Sequence, residues 1–259
     1  TEILLRQAWI YRQLGQTERA ISTNFDVLTA ATQQKITNLT RFNRIANLAY
    51  SQIANAYYET AELPEDYQES IDRFSNMLRG RQEIDHTQVE LKLLRSLFKS
   101  DNKSRQQIRR LERQLENATR EMAQQQPGTP EAILQRNIFE NERKRILGEI
   151  AILEKTRSEN WTQLKDHATA FINRYAEEQP DLRYDGEVRY YQIMAHKALD
   201  NEEHVRRGME VLLEIESTPE ELRQAWFATR VRVVIDVANL LFSEAVKAET
   251  HRMLQPNPD

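Results

Sequence analysis

The sequence predicts an all-α fold: a solenoid of antiparallel helix pairs interrupted by a long helical hairpin. Three observations carry this. First, a helical phrase recurs with the same punctuation: AWIYRQLGQTERAI at residues 8–21, ANAYYETAELPEDYQESIDRF at 54–74 and, less closely, YYQIMAHKALDNEEHVRRGMEVL at 190–212. Each copy has an alanine-and-tyrosine helix, a short polar turn and a second helix with small and large apolar residues on one face. Second, glycine (6) and proline (7) are scarce in 259 residues, well under half of ordinary usage. Third, charged residues reach 29%, and Leu, Ala, Glu, Gln and Arg recur at helical spacing, which leaves little room for strands. One such pair cannot bury its apolar face alone, so repetition means stacking.

The first helix is expected over Glu2 to Leu14, with Leu4, Ala8, Tyr11 and Leu14 on one stripe. Gly15 ends it, because glycine accepts the left-handed conformation a helix C-terminus often needs. Thr17 is placed to cap the next helix, which carries Ala20, Ile21, Phe25 and Leu28. A long helix from about Thr32 to Thr60 follows, through Ile36, Leu39, Phe42, Ile45, Ala46, Ala49, Ile53, Ala56 and Tyr57. Pro64 suits a first helical turn, so the next helix runs from there to about Leu78 and closes at Gly80.

Residues 85 to 99 read as one helix, striped by Val89, Leu93 and Leu97 or Phe98. From Lys103 to Gln125 the apolar positions narrow to Ile108, Leu111, Leu115, Ala118 and Met122, a 3-4-3-4 seam. Pro127-Gly128-Thr129-Pro130 is the strongest breaker in the chain. Leu134, Ile138, Ile146, Ile150 and Leu153 then continue helically to about Arg157. Two helices about a Pro-Gly turn read as an antiparallel, coiled-coil-like hairpin over 103–157, docked on the solenoid or projecting from it. Beyond it, Trp161, Leu164, Ala168, Phe171, Ile172 and Tyr175 share a helix face that Pro180 stops. Helices at about 185–199 and 201–216 precede a last one at 219–253, capped by Ser217 or Thr218 and rich in Val and Leu. The organisation expected is therefore 1–80 repeats, 81–102 a connecting helix, 103–157 the hairpin, and 158–259 further repeats with a long final helix.

The repeated phrase resembles the tetratricopeptide repeat. That family has a small residue and a tyrosine in the first helix, Leu-Gly at the turn, then alanine and large apolar residues. Here Ala8, Tyr11, Leu14, Gly15, Ala20 and Ile21 match, whereas Asn24 and Val27 stand where an aromatic and an alanine are usual, with Phe25 adjacent. The second copy matches at Ala54, Tyr57, Tyr67, Ile71 and Phe74, with Ser70 in place of the alanine. The third is degenerate, with Asp200 at the glycine and Val205 at the alanine. The segment FINRYAEEQPDLRYDGEVRYYQIMA also looks like the aromatic-rich repeats of bacterial envelope-assembly proteins. The resemblance implies a right-handed solenoid whose first helices line a concave groove. Its groove positions would be Trp9, Arg12 and Gln13, then Asn55, Tyr58 and Glu59, then Tyr190, Met194 and Lys197. In each Tyr57–Tyr58 and Tyr190–Tyr191 pair, one ring is expected in the core and the other in the groove, because neighbours on a helix lie ~100° apart.

Other chemistries find little support. Net charge is −4 and pI about 5.9, without the basic excess of a nucleic-acid binder. The one basic stretch, Lys99 to Arg113, lacks interleaved aromatics for base stacking and reads as a solvated flank paired with the Glu-rich second arm. No run approaches the 18 apolar residues a membrane span needs. Zero cysteines exclude disulfides and thiolate chemistry, and fit cytoplasm and periplasm alike. His86, His167, His196, His204 and His251 form no HExxH pair, so no metal is expected. There is no GxSxG, P-loop or glycine-rich turn, and the Glu65–Asp66 and Glu202–Glu203 pairs sit at helix starts, where the helix dipole explains them. No catalytic residue and no cofactor are expected.

The function expected is therefore that of a scaffold or assembly factor, taking a peptide or protein face in the groove. Two alternatives stand beside it. One is an adaptor that self-associates through the hairpin or last helix. The other is a helical accessory domain of a larger enzyme.

Overall fold

A computed structural model describes residues 1–33, 39–80, 85–123, 130–178, 182–199, 201, 203–205, 207–208, 235, 238–239, 242–243 and 245–246. Among them every regular element is an α-helix and no strand occurs. The helices are α1 (Glu2–Gln13), α2 (Thr17–Gln33), α3 (Leu39–Thr60), α4 (Pro64–Gly80), α5 (His86–Ala123), α6 (Pro130–Glu178) and α7 (Leu182–Ala198). The breaker at Pro127–Thr129, the stop at Pro180 and most of the two expected last helices lie outside the described residues. The chain divides into two compact units, Thr1–Gln163 and Leu164–Asp259.

In the first unit the helices pack in chain order: α1 on α2, α2 on α3, α3 on α4 and α4 on α5, with α1 also touching α3. The turns follow from local chemistry. Gly15 adopts φ 71°. Its N–H reaches the Arg12 carbonyl at 3.0 Å, and the Gln16 N–H reaches the Tyr11 carbonyl at 2.8 Å, the two bonds of a Schellman ending. Thr17 is the first helical residue of α2 and not its cap, so the helix begins one position earlier than expected. At the start of α4, the Asp66 carboxylate accepts the Glu62 and Leu63 N–H groups at 3.0 and 2.9 Å, satisfying donors that a helix start leaves open.

Several expected boundaries and stripes move. α2 continues to Gln33, and α3 begins at Leu39 and not near Thr32. On α2 the inward positions are Ala20, Thr23, Asn24, Val27 and Ala31. Asn24 is 1% exposed while Phe25 is 41% exposed, so the asparagine, and not the adjacent aromatic, takes the core position. Its amide N–H groups donate to the Ala20 carbonyl at 2.8 Å and to Gln52 Oε1 at 3.3 Å, while its Oδ1 is buried without a partner among the described residues. Leu14 and Leu39, expected on the buried stripes, are exposed. Ser70 is fully buried where the repeat has alanine, and its hydroxyl lies 3.4 Å from the Ala54 carbonyl and 3.2 Å from Ser96 Oγ.

α5 runs unbroken through residues 99–103, and α6 runs unbroken through 157–161. The polar residues that read as junctions are contacts between these two helices. Asp101, buried, accepts from Arg157 Nε at 2.8 Å and from Arg105 Nε at 2.6 Å. The Asn160 amide meets Ser100 Oγ at 3.3 Å, and the Phe98 and Trp161 rings meet edge-on at 6.1 Å. Partners climb along α5 as they descend along α6, so the pair is antiparallel. Ile108, Leu111, Ile146 and Leu153 form its buried seam, flanked by Leu115 and Ile150. Leu134 and Ile138, expected on that seam, are exposed. Beyond Asp101–Arg157, the ion pairs among the described residues of the arms are intrahelical, as in Glu116–Arg120 and Glu142–Arg145–Glu149, and none of them joins the basic flank to the acidic arm.

In the second unit, Leu164, Ala168, Phe171 and Ile172 of α6 are buried, as are Val188, Tyr190, Tyr191, Ile193 and Ala195 of α7. Gln192 donates to Thr169 Oγ1 at 2.9 Å, tying the two helices. Ile193 lies over Gly208: a Cβ built on that glycine would stand 2.5 Å from Ile193 Cγ1. No described helix is long and apolar enough to cross a membrane.

Candidate functional site

The first unit brings alternate helices onto one face. Arg12 of α1 forks onto Glu59 of α3: its Nε lies 2.7 Å from Oε2 and its Nη2 pairs with Oε1. A bidentate fork fixes direction as well as charge. Lys92 of α5 lies close enough to this pair for its acidity to respond to both. Burial first, then the Arg12 charge, hold its ammonium pKa below the ordinary lysine range, with Glu59 pulling the other way. Further along α5, Lys99 Nζ sits 4.2 Å from the centre of the Tyr58 ring, a cation–π contact. Tyr58 also meets Tyr67 of α4 edge-on at 6.2 Å.

Between α3 and α5 this face carries a niche of about 250 Å³. Its walls include Leu48, Met77 and Val89, and Arg44, Lys92 and Asp85 also line it. Leu48 is 47% exposed, whereas Met77 and Val89 are buried. Asp85 also accepts the Gln88 N–H at 3.1 Å, which caps α5.

The residues expected to line a groove fare differently. Trp9 is 52% exposed, one turn before Arg12, and Gln13 is exposed. Arg12, Tyr58 and Glu59 fall on the shared face. Asn55 does not offer its side chain: it is 7% exposed, with its amide 3.4 Å from Ser51 Oγ. In the second unit Tyr190 is 3% exposed and Tyr191 is buried beside it, rings 5.9 Å apart, so neither faces outward. The Tyr191 hydroxyl donates to the buried Glu187 carboxylate at 2.7 Å. Met194 is half-buried and Lys197 exposed.

Sequence reasoning missed Arg44, Leu48, Lys92 and Arg95, and read Lys99 as part of a solvated flank. The signal was present: Lys92, Arg95 and Lys99 are spaced 3 and 4 apart, which places three positive charges on one helical face. It also missed the stacked imidazoles of His196 and His204, 4.6 Å apart. Residues eight apart along the chain look unrelated until a turn between them brings them together.

What the fold defines is a consecutive stack of antiparallel helices whose first, third and fifth members contribute to one polar, charge-bearing face. No model of a known protein family matches the chain, and no curated protein matches it.

Proposed function

We propose that this chain is a non-catalytic protein–protein interaction scaffold or assembly factor, with a right-handed, tetratricopeptide-like stack that takes a peptide segment on the α1–α3–α5 face. The observation that carries the reading is the Arg12–Glu59 fork with Lys92 beside it. In a two-helix repeat, the first helices of successive pairs line the concave side, and this contact joins the first helices of two pairs with α5 next to them. Exposed Trp9 and Leu48 supply apolar anchors of the kind that dominate interfaces.

The test is affinity capture from the native organism's lysate, with mass spectrometry of what is retained. Arg12 and Tyr58 are tied into the stack, so the groove variant is Trp9→Ala with Leu48→Asp. A second variant shortens the tip of the arms, replacing residues 118–139 by a short linker. A partner lost with the groove variant and kept by the other is the expected result. Loss only with the shortened tip overturns the reading.

One observation favours a second reading, an adaptor that self-associates through the arms. Ile133, Leu134, Ile138, Leu147 and Ile152 of α6 are all exposed, apolar surface that self-association would cover. Sedimentation velocity of the wild type and the shortened variant tests it: mass that rises with concentration only in the wild type supports the adaptor.

A further inference from the structure

We infer that the α3–α5 niche seats one large apolar side chain of an acidic peptide, whose carboxylates meet Arg44 and Lys92. This rests on the groove reading above and names the chemistry of its partner. Size is the first argument. About 250 Å³ falls below the clefts of ~300–1,000 Å³ that hold drug-sized ligands, and suits a single side chain. Chemistry is the second: Leu48, Met77 and Val89 give the niche apolar walls, and the cations Arg44 and Lys92 line it too.

Charge on the wider face decides the partner's sign. Its carboxylates are engaged: Glu59 by the Arg12 fork, Glu2 by Arg41 and Asp85 by the α5 N-terminus. Neither the Arg44 nor the Lys92 side chain makes a hydrogen bond or ion pair among the described residues. Lys92 is half-buried, with Arg12 and Arg95 both acting on it, and Lys99 follows two turns on. Cations held close together at partial burial repel one another, and an incoming carboxylate relieves that repulsion while a basic segment adds to it. The lowered pKa of Lys92 has burial as its first cause, with the Arg12 and Arg95 charges adding in the same direction.

The experiment is selection of random dodecapeptides displayed on phage against the full chain. Recovered peptides are then titrated by fluorescence anisotropy against wild type, Arg44→Glu, Lys92→Glu, Leu48→Asp and Trp9→Ala. Arg44 and Leu48 are exposed, so two of these variants leave the packing alone. Expected are peptides rich in Asp and Glu around one Leu, Ile, Met or Phe. Their affinity should fall about tenfold or more on Lys92→Glu, as loss of a partly desolvated charge partner requires. It should fall similarly when the peptide's acids become amides or its apolar residue becomes glycine. Neutral or basic peptides that respond to Trp9→Ala but not to Lys92→Glu would overturn this inference and keep the groove. Displacement by heparin regardless of the apolar residue would reduce the face to a general polyanion site and overturn it too. Recovery of no peptide, or only of peptides indifferent to all four substitutions, would remove both this inference and the groove reading.

Discussion

Two glycine-to-alanine substitutions are expected to change stability in opposite directions. Both Gly148 and Gly208 are helical, so alanine gains about 0.8–1 kcal/mol of helix propensity at each. At Gly148 a new Cβ meets nothing within 4 Å, and most of that gain should appear as stabilisation. At Gly208 the Cβ would stand 2.5 Å from Ile193 Cγ1 and 3.0 Å from Cδ1. Cγ1 is one bond from Cβ and cannot swing aside like a chain tip, and Ile193 is 2% exposed, so it has nowhere to go. Overpacking of this kind costs about 1–3 kcal/mol, and after the propensity gain a net loss of about 1 kcal/mol at mid-range, and up to about 2, remains. With a urea slope of about 1–3 kcal/mol/M, the midpoint should drop by several tenths molar or more. The assay is urea unfolding followed by far-UV ellipticity, comparing wild type with each variant. If Gly208→Ala raises the midpoint as Gly148→Ala does, Ile193 does not cover Gly208 and the packing described for the second unit is wrong.

Two further outcomes follow from buried polar groups. Asp101→Ala should destabilise by about 2–3 kcal/mol, at or below the low end of the range for breaking a buried pair because Arg157 keeps some solvent. Asp101→Leu with Arg157→Leu should cost less than Asp101→Ala alone, and equal losses in urea titrations would refute the ion-pair account. His196 is buried with an unpartnered Nδ1, and burial first, then the His204 and Lys165 charges, lower its pKa. The unfolded chain takes up a proton as pH falls below about 6.5, while the folded one resists. Stability should therefore decline from about pH 6.5 down to the lower folded pKa. Melting temperatures across pH 5–7 should show a shallower slope in His196→Leu, and an unchanged slope would remove this residue from the account.

Much of the fold was legible because it depends on local chemistry. Gly15, Pro64 and the repeated small residues fix turns and close approaches that any reader of the chain can find. Two of the misplaced boundaries share one cause. Ser100-Asp101-Asn102 and Ser158-Glu159-Asn160 look like junctions because they are polar, yet Asp101 pairs with Arg157 and Ser100 with Asn160, each more than fifty residues away. Asn24 misled in the same way, since only its bonds to Ala20 and Gln52 make it a core residue. The face was half legible. The resemblance put Arg12, Tyr58 and Glu59 there, but it named Asn55 and Tyr190 as well, with no account of which side of each helix the neighbours cover. Arg44 and Leu48 could be assigned only once α5 was seen beside α3.

The seam between α5 and α6 repeats every seven residues: Ile108 to Leu115 on one helix, Ile146 to Leu153 on the other. Neither helix is interrupted along this seam. Seven residues added to or removed from both arms beyond this seam would therefore keep each side chain in phase with its partner and leave every packed layer below unaltered. Arm length is in this sense a separate heritable dimension of the molecule, adjustable in steps of about 10 Å without redesign of its base.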